Sequence, residues 1–146
     1  MIRRIFVHAD IVLDFLLRRE PFFNPAAMLF IAMQNGWVRG CVSPLIHSNL
    51  FYMLRKGSSP QEAVRALQQL KLLTRTLSVD QKTLEMALAS LFSDFEDALH
   101  YYTAANHDVD AIVTRNIRDY KTAKLPVLTA EEFVSMLQER AGEVVS

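Results

Sequence analysis

The chain has 146 residues, 51% hydrophobic and 22% charged, with sixteen basic residues balancing sixteen acidic ones. This fits a single soluble globular domain, 1–146, and the zero net charge excludes a protein that grips nucleic acid by bulk charge, though not one with a local basic patch. Cys41 is the only cysteine, which excludes an internal disulfide or a thiolate metal cluster, and no stretch nears the roughly 18 apolar residues of a membrane span.

Along the chain, IRRIFV is rich in β-branched and aromatic residues and reads as a strand. Only Ile5 to Val7 follow Arg3 and Arg4 as an apolar run, so no signal peptide and a cytoplasmic location are expected. Asp10 is expected to cap a short amphipathic helix carrying Leu13, Phe15, Leu16 and Leu17. Pro21 and Pro25 bound a break, and AAMLFIAMQNG reads as a helix stopped by Gly36. WVRGCV is a second short strand. Ser43-Pro44 and Ser59-Pro60 are helix-start signals that open LIHSNLFYMLRKG and QEAVRALQQLKLL. TRTLSV is a weak strand, and DQKTLEMALAS is helical after Asp80. SDFEDALHYYTAANH is a helix capped by Ser93 or Asp94. VDAIVT has the continuous apolar character of a strand inside a parallel sheet. KLPVLT is a last strand and AEEFVSMLQER a last helix.

Strands separated by helical patterns imply βαβ units and a parallel sheet covered on both faces. Strands near 3–8, 38–42, 110–114 and 126–128 are expected to form one such sheet, the first beside the fourth. Sites in these sheets form at the carboxyl ends of strands. His8, Asp10 and Asp14 follow one strand end; Thr114, Arg115, Asn116 and Asp119 follow another. Asp94, Glu96 and Asp97 open a helix, where acids favour the positive end of its dipole. Asp97, one turn in, is the one expected to face a pocket.

Grouped acids at strand ends suit magnesium or manganese, which take hard oxygen ligands and leave positions for water and phosphate. No Walker loop, dinucleotide fingerprint or Gly-x-Ser-x-Gly elbow is present, and no histidine or cysteine pair has zinc spacing. His47, His100 and His107 read as ordinary. The pairs Phe51-Tyr52 and Tyr101-Tyr102 read as core and rim aromatics rather than base-stacking platforms. Arg115, Arg118, Lys121 and Lys124 could hold a phosphate backbone beside an acidic pocket.

FVHADIVLDFLLRREPF, SPLIHSNLFYMLRK, SDFEDALHYYTA and AIVTRNIRDYKTAKLPVLTAEEF together resemble the PIN domain in order and spacing, closest to a bacterial branch akin to VapC-type toxins. The resemblance implies an α/β/α sandwich with a small parallel sheet. It implies metal-dependent endoribonuclease activity and, in the VapC branch, inhibition by an antitoxin. It places metal-binding and catalytic roles on Asp97, Asp10 and Asp119, with His8 where the family's leading acid stands. Asn49, standing where many members have a glutamate, would orient the ion or its waters with Asn116, Glu96 and Asp14. Arg115, Arg118 and Lys121 would contact RNA. An imidazole carries no negative charge and is a poor magnesium ligand, so Mg2+ or Mn2+ should be weakly held. The expected function is a ribonuclease with an altered site; the alternative is a catalytically inactive module binding RNA or a protein partner such as an antitoxin. A homodimer through the helices at 44–56 and 60–73 is expected from the resemblance alone.

Overall fold

The computed structural model describes residues 2–120 and 124–145, the side chains of 143–145 excepted. Among the described residues the chain runs β1 (Arg4–Val7), α1 (Ala9–Leu16), α2 (Phe23–Gln34), β2 (Arg39–Val42), α3 (Pro44–Arg55), α4 (Pro60–Leu73), β3 (Arg75–Thr76), α5 (Gln81–Leu88), α6 (Phe95–Asn106), β4 (Ala111–Val113), a 3-10 turn (Ile117–Tyr120), β5 (Val127–Leu128) and α7 (Ala130–Val145). This is the α/β/α arrangement expected from the strand and helix alternation.

All strand pairs are parallel, in the order β3-β2-β1-β4-β5. The 3–8 strand therefore lies beside β2 and β4. It does not lie beside the 126–128 strand, which forms the sheet's edge against β4. The correction follows from burial. β4 (AIV) is wholly buried and needs a neighbour on each side, whereas the two residues of β5 are only half-buried. The chain builds outward from β1 to β3, then returns to lay β4 on β1's free side. The carboxyl ends of β1 and β4 thus flank a topological switch point, where open α/β sheets form their crevice.

Both faces are covered. Phe6, paired in register with Cys41, faces α6, its ring 5.7 Å from that of His100. The opposite face carries Ile5 and Gly40, also register partners, against α2. A Cβ at Gly40 would collide with the Met33 side chain, so close packing of α2 depends on that glycine.

Local signals set most helix starts. Ser43, Ser59, Asp80 and Asp94 each accept the backbone N–H three residues on. Two starts differ from expectation. α2 begins at Phe23 and takes Pro25 into its first turn, where a missing N–H leaves no bond unmade. α1 is capped by His8, whose Nδ1 accepts the Asp10 N–H at 3.3 Å, so Asp10 lies inside the first turn and its carboxylate is free for other use.

Candidate functional site

β1 runs one residue past its last paired position, with the His8 N–H donating to the Val113 carbonyl at 3.1 Å. Capping then turns the chain into α1 and aims Asp10 across the switch point at the end of β4. One carboxylate oxygen, Asp10 Oδ2, accepts three donors there: the Thr114 hydroxyl at 2.9 Å, the Arg115 N–H at 3.0 Å and the Asn116 amide at 3.4 Å. The other, Oδ1, is buried with no hydrogen bond, its polar neighbour being His8 Nδ1 at 3.3 Å. His8 Nδ1 cannot serve both sides at once. Unprotonated, it accepts the Asp10 N–H; protonated, it donates to Oδ1. Burial pushes the His8 pKa down, but the Asp10 carboxylate and the charges of Asp97 and Glu96 outweigh it and leave it raised. Burial pushes Asp10 up, and His8, the Arg115 N–H and the Thr114 hydroxyl reverse this, leaving it lowered.

Asp14, one turn further on, is buried between two guanidiniums, with Arg19 Nε at 2.9 Å and Arg115 Nε at 3.0 Å. The second contact is close but poorly aligned as a hydrogen bond. Arg19 also donates to the Asp10 carbonyl at 3.2 Å, and the Arg115 guanidinium lies 4.0 Å over the Phe22 ring. Burial raises the Asp14 pKa, and the two arginines pull against it.

The third element is the start of α6. Asp94 Oδ1 caps the helix through the Asp97 N–H at 3.0 Å. Glu96 Oε1 accepts from the Asn49 amide at 2.7 Å and lies 3.4 Å from His100 Nε2. His100 is fully buried and its ring meets that of His8 edge-on at 5.2 Å. Burial and the His8 charge hold its pKa down at about 3, so it stays neutral, with Nε2 placed to donate to Glu96 and Nδ1 left without a partner. Asp97 is half-buried, and the buried Tyr120 hydroxyl donates to its Oδ1 at a long 3.5 Å. Burial and the charges of Asp94 and Asp119 push Asp97 up to about 6, with His8 opposing them. Burial and the charges of Asp97, Asp10 and Asp119 hold the Tyr120 hydroxyl well above its usual pKa, so it remains a donor.

The expected residues thus divide. Asp10 touches both His8 and Asn116 at the switch point. Asp97 and Asp119 act on the same Tyr120 hydroxyl as Asp10, and Glu96 and Asn49 join the site through His100. Asp14, expected to orient an ion or its waters, is instead enclosed by arginines. Arg115 is held by Asp14 and Phe22, while Arg118 is exposed on the 3-10 turn. Lys121 lies outside the described residues. Sequence reasoning missed two residues and placed Thr114 at the strand end without giving it a role. His100 had a signal in its i,i+4 spacing from Glu96. Tyr120 had none of comparable strength, because its partner lies 23 positions away.

A polar cluster at the switch point of a five-stranded parallel sheet defines an open α/β domain with its candidate site at the carboxyl ends of the strands. The chain belongs to the PIN domain family, whose model (PIN_3: PIN domain) matches residues 4–118. No curated protein matches it. Its fold is similar to a toxin-antitoxin complex from Klebsiella pneumoniae, at 20% identity over 86% of this chain and 96% of that one, with a TM-score of 0.66. It is similar to FitAcB from Neisseria gonorrhoeae at 13% identity over 86% and 97%, with a TM-score of 0.67. It is also similar to the sarcin-ricin loop cleaving toxin VapC20 of Mycobacterium tuberculosis, at 16% identity over 74% and 86%, with a TM-score of 0.60. No helix among the described residues is long and apolar enough to cross a membrane.

A divalent ion asks for carboxylate oxygens free to point at it. Here Asp10 Oδ2 already has three donors, Oδ1 faces the His8 imidazole at 3.3 Å, and Asp14 lies between two arginines. Among the described residues no three His, Cys, Asp or Glu side chains are grouped to hold a metal. The residues present do not fit a resident ion.

Proposed function

We propose that this chain is a toxin-type PIN module that binds RNA and an antitoxin-like protein, with its own metal-dependent cleavage disabled or strongly attenuated. The observation that carries this reading is the closed His8–Asp10 network. The leading acid of the family pattern is replaced by a helix-capping imidazole, and the next acid is spent on holding β1 to β4. RNA remains the expected ligand because Arg118 stands exposed beside the site. The fold's resemblance to toxins in complex with antitoxins supports a protein partner, as does an apolar groove of about 300 Å³ lined by Phe15, Leu16, Phe30 and Leu72, the last 82% exposed. The test combines RNA binding with cleavage of a generic RNA panel in magnesium and in manganese. Binding without cleavage is expected; brisk cleavage in magnesium refutes it.

One observation favours a second reading, a weak metal-dependent endoribonuclease. Asp97 sits in the field of Asp94, Asp119 and Glu96, and such crowding is relieved by a cation. Slow cleavage seen in manganese, and lost in Asp97→Ala, decides for it.

A further inference from the structure

The zero net charge conceals a concentration of arginines that runs from the amino-terminal ends of β1 and β2 across to β3, the sheet's edge strand. Arg4 and Arg39 are register partners on β1 and β2, and Cys41, two residues beyond Arg39, is paired with Arg75 on β3. Paired residues and residues two apart on a strand share a face, so Arg4, Arg39 and Arg75 project from the same face. All three are exposed, and the fields of all three reach the buried Cys41 between them. Arg3 adds a fourth exposed cation on β1's lead-in. Among the described residues none of the four makes a side-chain ion pair. The nearby acid Asp110 has one carboxylate oxygen occupied by the Arg3 and Arg4 backbone N–H groups, at 2.8 and 2.9 Å.

Like charges directly opposite on neighbouring strands destabilise a sheet, so the Arg4–Arg39 pair is unfavourable for the isolated fold. A bound polyanion reverses that sign. Beside the cluster, at the turn leading into β2, stands Trp37, 66% exposed and the only tryptophan in the chain. Cations for phosphate with an aromatic face for a base are what single-stranded nucleic acid requires; an acidic peptide has no need of the indole.

We propose that Arg4, Arg39 and Arg75, with Trp37, form a track for single-stranded RNA running from the amino-terminal ends of β1 and β2 to β3. It holds a tract of the molecule remote from the candidate site. The inference rests on the RNA-binding reading above and deepens it, giving a net-neutral protein its grip through one local patch.

Trp37, as the sole tryptophan, reports on the patch directly. Labelled single-stranded oligoadenylate is titrated into the full chain while indole fluorescence and anisotropy are followed. Quenching of Trp37 in step with binding is expected. Replacing Arg39 and Arg75 together by Gln should weaken binding at least about tenfold. It should also lower the slope of log affinity against log salt by roughly 1.4, at about 0.7 for each phosphate left without its arginine. The double variant should fold, since both side chains are exposed and a like-charge repulsion is removed; circular dichroism melting verifies this. Arg118→Gln serves as a comparison beside the candidate site. If RNA binds the double variant with unchanged affinity and slope, the track is refuted while the RNA reading stands. If RNA does not bind the native chain at all, both fall. If instead a polyglutamate peptide quenches Trp37 and RNA does not, the patch belongs to an acidic protein partner and the proposal is wrong.

Discussion

Replacing Asp97 by Asn should make the protein more stable at neutral pH. Asp97 carries a carboxyl raised from 3.8 to about 6 by burial and by the charges of Asp94 and Asp119. A raised pKa means the folded state binds the proton more tightly than the unfolded state. The stability linked to that proton is fully present below about 3.8 and is lost as pH rises through about 6. The full difference corresponds to roughly 3 kcal/mol at 1.36 kcal/mol per pH unit. Asp97 is only half-buried, so solvent screening reduces this to about 1–2 kcal/mol at pH 7. Asn has nearly the same shape and keeps an oxygen to accept from the Tyr120 hydroxyl, so the substitution removes the charge and little else. The gain over the native chain should be near zero at pH 4, grow between pH 4 and 6, and level off by pH 7. Urea denaturation of both proteins across that range measures it; taking the difference cancels the titration of Asp14, while His8, which loses the attraction of Asp97, offsets part of the gain where it is protonated. A variant less stable than the native chain at pH 7, or a difference that does not change with pH, refutes the account of Asp97 as a charge held against its neighbours.

His8→Asp should restore an acid at the end of β1, tighten manganese binding and raise RNA cleavage, and the gain should vanish when Asp97→Ala is added; calorimetry and an RNA panel read both. Asp10→Ala leaves the Thr114 hydroxyl, the Arg115 N–H and the Asn116 amide without their shared acceptor, and should cost about 2–4 kcal/mol of stability in urea denaturation. Asp14→Ala leaves two guanidiniums with no anion between them, and should cost about 1–3 kcal/mol, since each guanidinium is about a third exposed and can turn to water. Light scattering at micromolar concentration should show a dimer, and a monomer removes that expectation alone.

What the sequence made legible was what is local. The caps Ser43, Ser59, Asp80 and Asp94 act on N–H groups three residues away, so composition around each start was enough. The strands were visible as apolar runs, but their order was not, because the place of β4 beside β1 is decided by packing of segments about a hundred residues apart. The site was legible as a set of residue types and not as a wiring. Asp10 looked like a metal ligand because nothing in its neighbourhood announces the Thr114–Asn116 turn that occupies it. His100 looked ordinary on an apolar helix face, yet it is the buried link between Glu96 and His8. Pro25 looked like a boundary because proline breaks helix interiors, whereas in a first turn it does no harm.

Histidine against a carboxylate at the end of β1 can be weighed as a trade between stability and chemistry. A carboxylate at position 8 would cap α1 well, since Asp is among the best N-cap residues. It would also stand where His8 Nδ1 now lies, 3.3 Å from Asp10 Oδ1, an oxygen already buried without a hydrogen bond. Two carboxylates that close repel unless a cation or a shared proton sits between them. The imidazole removes that need, because its proton can supply the positive charge from within the chain when Asp10 and Asp97 call for it. An acid at position 8 therefore calls for a cation or a shared proton, while the histidine lets the switch point close on itself. Functional sites are commonly less stable than their surroundings could make them. At position 8 the histidine makes the cluster self-contained, and Asp97 is left as the acid whose charge its neighbours Asp94 and Asp119 oppose.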